Sequence, residues 1–137
     1  MKIEKNPLDF EYEHNITIKN LTFSNNVNYI GKNSFAYCHN LESVIFSNSI
    51  IKICDCAFIR CYKLSNIEIS NSIKEIELGA FAFCRRLKTI NIPSTVEVLG
   101  NFILEGCNLD EIYIPKKFES NIEIILKNCK YKKIYFN

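Results

Sequence analysis

The sequence predicts a solenoid of about six short coils that share one parallel β-sheet. The first indication is a cysteine every 23 residues, at Cys38, Cys61, Cys84 and Cys107. Five columns of apolar residues keep the same spacing, and the aromatic column holds Phe35, Phe58, Phe81 and Leu104. A unit of about 22–23 residues is too short to bury an apolar face alone, so successive units stack and align equivalent residues.

Each unit opens with two apolar residues two positions apart, such as Ile67 and Ile69, which is the period of a β-strand. A polar turn follows, and then a pair spaced by three, such as Ile73 and Ile76, which fits a short extended piece or a 3₁₀ turn on the opposite side. The Ala-Phe-x-x-Cys segment fits one helical turn, so we expect little α-helix. The predicted strands lie near residues 20–24, 43–47, 66–70, 89–92, 111–114 and 133–136.

The repeat pattern divides the chain into two parts. Residues 18–137 form the predicted array, which is a single domain. Tyr12 precedes Phe35 by the repeat spacing, but residues 1–17 otherwise lack the pattern, which predicts a degenerate N-terminal cap.

Composition and charge exclude several classes of protein. Lys and Arg number 17 against 15 Asp and Glu, and this net charge of +2 argues against a nucleic-acid-binding protein. We expect no membrane span, since no apolar run reaches about 18 residues. The first residues lack the apolar segment of a signal peptide, and the odd number of cysteines, 7, favours a reducing compartment. These features predict a cytoplasmic protein by default, with the cell surface as the alternative.

The cysteines have a chemical and a structural interpretation. Neighbouring coils are close enough for a disulfide ladder, but side chains in one column are parallel, which disfavours the required torsion. Cys54, Cys56 and Cys61 do not match a standard zinc spacing, and His39 directly follows Cys38, so the two side chains diverge on a turn. We therefore expect small buried residues, with no metal, cofactor or catalytic site.

The outward positions of the strands are the candidate partner-binding residues. Exposed tyrosines are common anchors at interfaces, so Tyr113 and Tyr135 are the favoured contacts, although tyrosine also simply suits an exposed strand. One outward column contains Ile45, Glu68, Asn91, Tyr113 and Tyr135. The column two positions earlier contains Asn66, Thr89, Glu111 and Lys133.

These motifs resemble the BspA-like leucine-rich repeat family. The resemblance covers about residues 18–137 and is carried by Ile92-Pro93-Ser94-Thr95-Val96, by Leu99-Gly100, and by Ala57-Phe58 and Ala80-Phe81 with their cysteines. It implies a curved leucine-rich-repeat solenoid whose concave sheet binds partners, with no catalytic site. The predicted function is therefore a non-catalytic protein–protein interaction module with a protein partner of unknown identity. A cell-surface adhesion or ligand-capture protein is the alternative, and an enzyme is the least favoured class.

The last predicted strand, residues 133–136, is not followed by a capping unit in the sequence. Solenoids need polar caps at their ends because an open strand exposes backbone groups and core. The sequence therefore predicts weak self-association through this C-terminal edge strand, unless the chain is a piece of a longer array. The lysines around it are expected to guard the edge, and no nucleic acid is expected there.

Overall fold

The computed structural model describes all 137 residues as a stack of coils in which every strand pairing is parallel. The fold class predicted from the repeat spacing is confirmed. In chain order, the strands are β1 (Lys2–Ile3), β2 (Asn20–Phe23), β3 (Tyr29–Ile30), β4 (Ser43–Ile45), β5 (Lys52–Ile53), β6 (Asn66–Glu68), β7 (Glu75–Ile76), β8 (Thr89–Asn91), β9 (Val98–Leu99), β10 (Asn108–Ile114) and β11 (Lys130–Phe136).

One side of the stack carries the strands that the period-2 pattern predicts. We call it the front sheet; it contains β1-β2-β4-β6 and β8-β10-β11 in spatial order. Its side chains alternate between core and solvent, as in β2, where Leu21 and Phe23 are buried and Thr22 is exposed. This alternation leaves one face of the front sheet open to solvent.

The front sheet differs from the prediction of one continuous sheet. β6 and β8 do not pair, so the hydrogen-bonded ladder is interrupted between them. Ile67 of β6 is only half-buried, whereas its column neighbours Val44 and Ile90 are each 2% exposed. The core is therefore more open at this junction than elsewhere along the sheet.

A second sheet lies behind the first and has the order β3-β5-β7-β9. Its strands are two residues long, and they come from the apolar pairs spaced by three, so those segments are extended and not 3₁₀ turns. Ile30, Ile53 and Ile76 are completely buried in register with one another. This back sheet continues across the junction at which the front sheet is interrupted, because β7 pairs with β9.

Helical structure is short, as the sequence predicts. A 3₁₀ helix at Lys116–Asn121 and the helix α1 (Ile122–Ile125) replace the back strand in the last coil. Phe118 and Ile125 supply the apolar contacts of that coil. In the preceding coils, the Ala-Phe-x-x-Cys segments form turns whose alternate N–H groups bond to the next coil, as Phe58 N–H does to the Ala80 carbonyl at 2.9 Å.

The core is a single cluster of 36 buried residues that runs the length of the stack. Its centre is an aromatic column in which Phe58 stacks on Phe35 and on Phe81, with ring centroids 5.4 and 5.6 Å apart. Residues 1–17 join this architecture: β1 pairs with β2, and Tyr12 stacks on Phe35 at 5.1 Å. The N-terminal segment therefore contributes a further partial coil.

Candidate functional site

The structure places the first candidate column in two aligned rows on the front sheet. Ile45 lies opposite Glu68 where β4 pairs with β6, and Asn91, Tyr113 and Tyr135 align across β8, β10 and β11. Ile45 has 63% of its surface exposed. The interruption between β6 and β8 separates the two rows.

The second candidate column aligns in the same way. Asn66 pairs with Ser43 of β4, whereas Thr89, Glu111 and Lys133 align across β8, β10 and β11. All of these side chains lie on the solvent side of the front sheet, and Glu111 is half-buried. The nine candidate residues therefore belong to one surface with an interruption near its middle.

The two candidate tyrosines contact each other. Their rings stack with centroids 4.8 Å apart and an interplanar angle of 13°. The Tyr113 hydroxyl also donates a hydrogen bond to the Glu111 carboxylate, which is the main cause of the raised pKa of Tyr113. Tyr113 is thus held by its neighbours, while Tyr135 remains 39% exposed and available for contact.

A groove opens where the front sheet is interrupted. Its volume is about 370 Å³, and its lining includes Glu68 and Asn91 from the first candidate column together with Ile67, Ile69 and Ile92. A groove lined by both apolar and polar residues is suited to a side chain or a short segment of a partner. Sequence analysis missed this groove because residues 66–70 and 89–92 have the same strand pattern as the other units.

The cysteine column is structural, as the buried interpretation predicts. Cys38, Cys61, Cys84 and Cys107 are buried and free. Each thiol donates a hydrogen bond to a carbonyl of the preceding coil; for example, Cys84 Sγ lies 3.3 Å from the Phe58 carbonyl oxygen. Burial raises the pKa of the Cys84 thiol well above its usual value, so it stays protonated and able to donate.

The cysteines outside the column are half-buried. Burial, reinforced by the charge of Glu77, raises the pKa of Cys54 to about 11, and burial raises that of Cys129 to about 12. Both shifts lower the thiolate fraction on which reactivity depends. No three His, Cys, Asp or Glu side chains are grouped as metal ligands would be.

A second surface combines stacked aromatic and cationic side chains. The Arg60 guanidinium carbon lies 4.4 Å from the Phe83 ring centroid and 5.8 Å from that of Tyr37, and Arg85 lies 4.7 Å from the Tyr62 ring. We call this surface the cation–aromatic edge; it contains Tyr37, His39, Arg60, Tyr62, Phe83 and Arg85. Sequence analysis missed it, although Tyr37, Arg60 and Phe83 keep the 23-residue spacing, because their side chains differ in chemistry.

The fold and its open strand surface define a class of protein, the leucine-rich-repeat solenoids. A model of the family described as BspA type Leucine rich repeat region matches residues 9–133 in 6 copies. The chain belongs to this family, whose members are typically non-enzymatic interaction or surface modules. No helix has the length and apolar character needed to cross a membrane.

Three similar solved structures are bacterial leucine-rich-repeat proteins. The T. pallidum Leucine Rich Repeat protein has a TM-score of 0.77 at 20% identity, over 84% of this chain and 53% of that chain. A leucine-rich repeat protein from Bacteroides ovatus has a TM-score of 0.75 at 26% identity, over 85% of this chain and 30% of that one. A leucine rich cell surface protein from Faecalibacterium prausnitzii has a TM-score of 0.63 at 25% identity, over 82% and 32%.

The chain therefore spans about half of the first of these proteins and about a third of the other two. No curated protein matches the sequence significantly.

Proposed function

We propose that this chain is a non-catalytic protein-interaction module that binds a protein partner through the exposed face of its front sheet. The observation that carries the proposal is the groove of about 370 Å³ between β6 and β8, flanked by the two rows of candidate residues. The groove brings exposed polar side chains next to half-buried isoleucines. Such a combination supports binding because an apolar contact supplies affinity and the polar rim supplies specificity.

The exposed side chains on either side of the groove extend the proposed interface. Ile45 on one side is 63% exposed, and Tyr135 on the other is 39% exposed. Stacking against Tyr113 holds the Tyr135 ring in place, so little conformational freedom would be lost on binding. These two residues are the proposed anchors, and Glu68, Asn91, Asn66, Thr89, Glu111 and Lys133 are the proposed polar rim.

Affinity capture from native lysate tests the front sheet as the binding surface. We expect a partner retained by the wild-type chain to be lost, with affinity reduced about tenfold or more, when Ile45→Ala is combined with Tyr135→Ala. The matched control is Ile51→Ala combined with Val98→Ala, since these apolar residues are 50% and 49% exposed away from the front sheet. Equal retention by both double variants would place the interface elsewhere.

Cell-surface adhesion is the second candidate function. It is supported by the similarity to the cell surface protein of F. prausnitzii, which extends over 82% of this chain. Protease treatment of intact cells separates the two candidates, because a surface protein is digested and an intracellular one is protected. The cytoplasmic assignment made by default from the sequence is the competing proposal in that experiment.

Weak self-association through β11 also remains a proposal. β11 pairs with β10 on one side only, and its first four residues are exposed. Lysine is a common guard of open edges, so the contact is expected to be weak. Light scattering after size-exclusion chromatography should show an average mass that rises with concentration, and a constant monomer mass would contradict the proposal.

A further inference from the structure

The cation–aromatic edge carries positive charge that the chain itself does not neutralise. Residues 60–65 and 83–88 hold five basic residues, Arg60, Lys63, Arg85, Arg86 and Lys88, and no acidic residue, while the same segment of the preceding coil, residues 37–42, contains one, Glu42. None of these five forms a salt bridge, whereas Lys52 and Lys132 elsewhere pair with acidic side chains. The turns on the other side of the front sheet at residues 47–49, 70–72 and 93–95 have no charged residue. The next turn on that side carries Lys116 and Lys117, and Lys117 donates a hydrogen bond to the Ser94 carbonyl. What distinguishes the cation–aromatic edge is therefore its grouping of unpaired basic residues with aromatic rings.

The arginines of this edge are already ordered. Arg60 lies between the Tyr37 and Phe83 rings, and its Nη1 atom donates a hydrogen bond to the Tyr62 hydroxyl at 3.2 Å. Arg85 lies over the Tyr62 ring. Stacking covers the faces of a guanidinium group, but its N–H groups in the plane stay available for a bidentate contact with a carboxylate. An arginine held in this way loses little side-chain entropy on binding an anion.

The backbone shows that large side chains are retained here at a conformational cost. Tyr37, Arg60 and Phe83 each have φ of 60°, in the left-handed region that disfavours large side chains. The same position of the following coils is occupied by Gly106 and Asn128, which suit that region. His14 occupies the same position one coil upstream with φ of 61°, so four successive coils present a ring or a cation where glycine would be the least strained residue.

A hollow continues the edge towards the C-terminus. Its volume is about 350 Å³, and it lies between Arg85 and Lys130 with the polar residues Asn108 and Asn128 in its wall. Asp110 pairs with Lys132, whereas the Glu105 carboxylate accepts a hydrogen bond only from the neutral Asn128 amide and keeps its charge. The basic surface therefore extends over several coils, which suits an extended ligand.

We infer that the cation–aromatic edge is a second binding surface, and that it takes an acidic, extended segment of a protein partner. Arginine and aromatic residues dominate the energetics of protein interfaces, and carboxylates match the planar donors of Arg60 and Arg85. The aromatic rings beside each arginine would contact the aliphatic parts of the acidic side chains. This inference does not depend on the front sheet, which is a separate surface.

The probe for this surface is a short fluorescent peptide of alternating Glu and Ser, and the readout is fluorescence anisotropy at low salt. We expect the combination of Arg60→Gln and Arg85→Gln to weaken binding about tenfold or more, because the two charge-assisted contacts at this exposed surface together contribute about that factor. The matched control combines Lys5→Gln with Lys116→Gln, which removes the same charge from exposed positions away from the edge and should change binding less than about twofold. The front-sheet double variant, Ile45→Ala with Tyr135→Ala, should bind the peptide like the wild type.

A second variant separates an ordered site from charge alone. Phe83→Leu keeps every arginine but removes a ring from Arg60, and we expect it to weaken peptide binding about threefold. Circular dichroism and thermal unfolding establish that each variant is folded before its affinity is compared. The inference is overturned if the arginine and lysine double variants lose binding equally, if the Gln version of the peptide binds as well, or if the wild type does not bind. It is also overturned if anionic vesicles or single-stranded DNA displace the fluorescent peptide more effectively than the unlabelled peptide does. All three competitors are compared at the same concentration of negative charge.

Discussion

Replacing Phe58 by alanine is expected to lower the free energy of unfolding by about 3–5 kcal/mol, the range for truncating a large aromatic residue in a core. Phe58 is completely buried, and its ring contacts three others: it stacks on Phe35 and Phe81 and meets Phe46 edge-on at 6.0 Å. The alanine variant would leave a cavity between two coils and remove all three ring contacts. Urea unfolding followed by circular dichroism measures the loss.

Two control variants separate the contributions. Phe58→Leu keeps most of the side-chain volume, so it should cost about 1–2 kcal/mol, mainly through the lost aromatic contacts. Ile45→Ala removes a mostly exposed side chain and should change stability by less than about 0.5 kcal/mol. If Phe58→Ala cost less than about 1 kcal/mol, the aromatic column would not be the packed core described above.

Substituting Gly100 with alanine is expected to cost about 2–3 kcal/mol for a steric reason. A Cβ atom at this position would lie 2.4 Å from the backbone nitrogen of Leu78 and 2.5 Å from the carbonyl carbon of Glu77. Backbone atoms of a neighbouring coil cannot rotate away as a side chain can. The two coils would have to separate, which would stretch the 2.7 Å hydrogen bond from Gly100 N–H to the Ile76 carbonyl.

Thermal and urea unfolding of Gly100→Ala should both show this loss. Asn101→Ala is the matched control, because Asn101 is the exposed next residue and its side chain makes no hydrogen bond in the structure. We expect it to change stability by less than about 0.5 kcal/mol. Wild-type stability in the glycine variant would contradict the close approach of the two coils.

The features that repeat at a fixed spacing were predictable from the sequence. The columns of residues spaced by 23 located the front strands within a few residues and identified the buried phenylalanines and cysteines. They could do so because each core residue of such a stack packs against the equivalent residues of the neighbouring coils. The hydrogen bonds from the thiols to the preceding coil were not predicted, because they depend on the offset between coils. The alignment of Tyr113 with Tyr135 was implied by the columns, but the engagement of the Tyr113 hydroxyl by Glu111 was not.

Features that distinguish one junction from another were not predictable. β6 and β8 have ordinary strand patterns, so nothing in their residues signals that they do not pair. The cation–aromatic edge was not predicted because a tyrosine, an arginine and a phenylalanine in one column do not form a repeat of one residue type. Their stacking nevertheless depends on the alternation of aromatic rings with a cation. Columns of similar residues in the sequence predict the core. Contacts between unlike residues of neighbouring coils become apparent only in the structure.

The junction between β6 and β8 has a consequence for how the solenoid bends. On the back, Gly100 allows one coil to approach Leu78 closely, and β7 and β9 stay paired; on the front, the ladder is broken and a groove opens. The coils on either side of the junction are also joined by turn hydrogen bonds, such as that from Phe81 N–H to the Ile103 carbonyl, so only the front side lacks backbone hydrogen bonds between them. We therefore expect any bending of the solenoid at this junction to take place about the back sheet, and a ligand in the groove to restrict it.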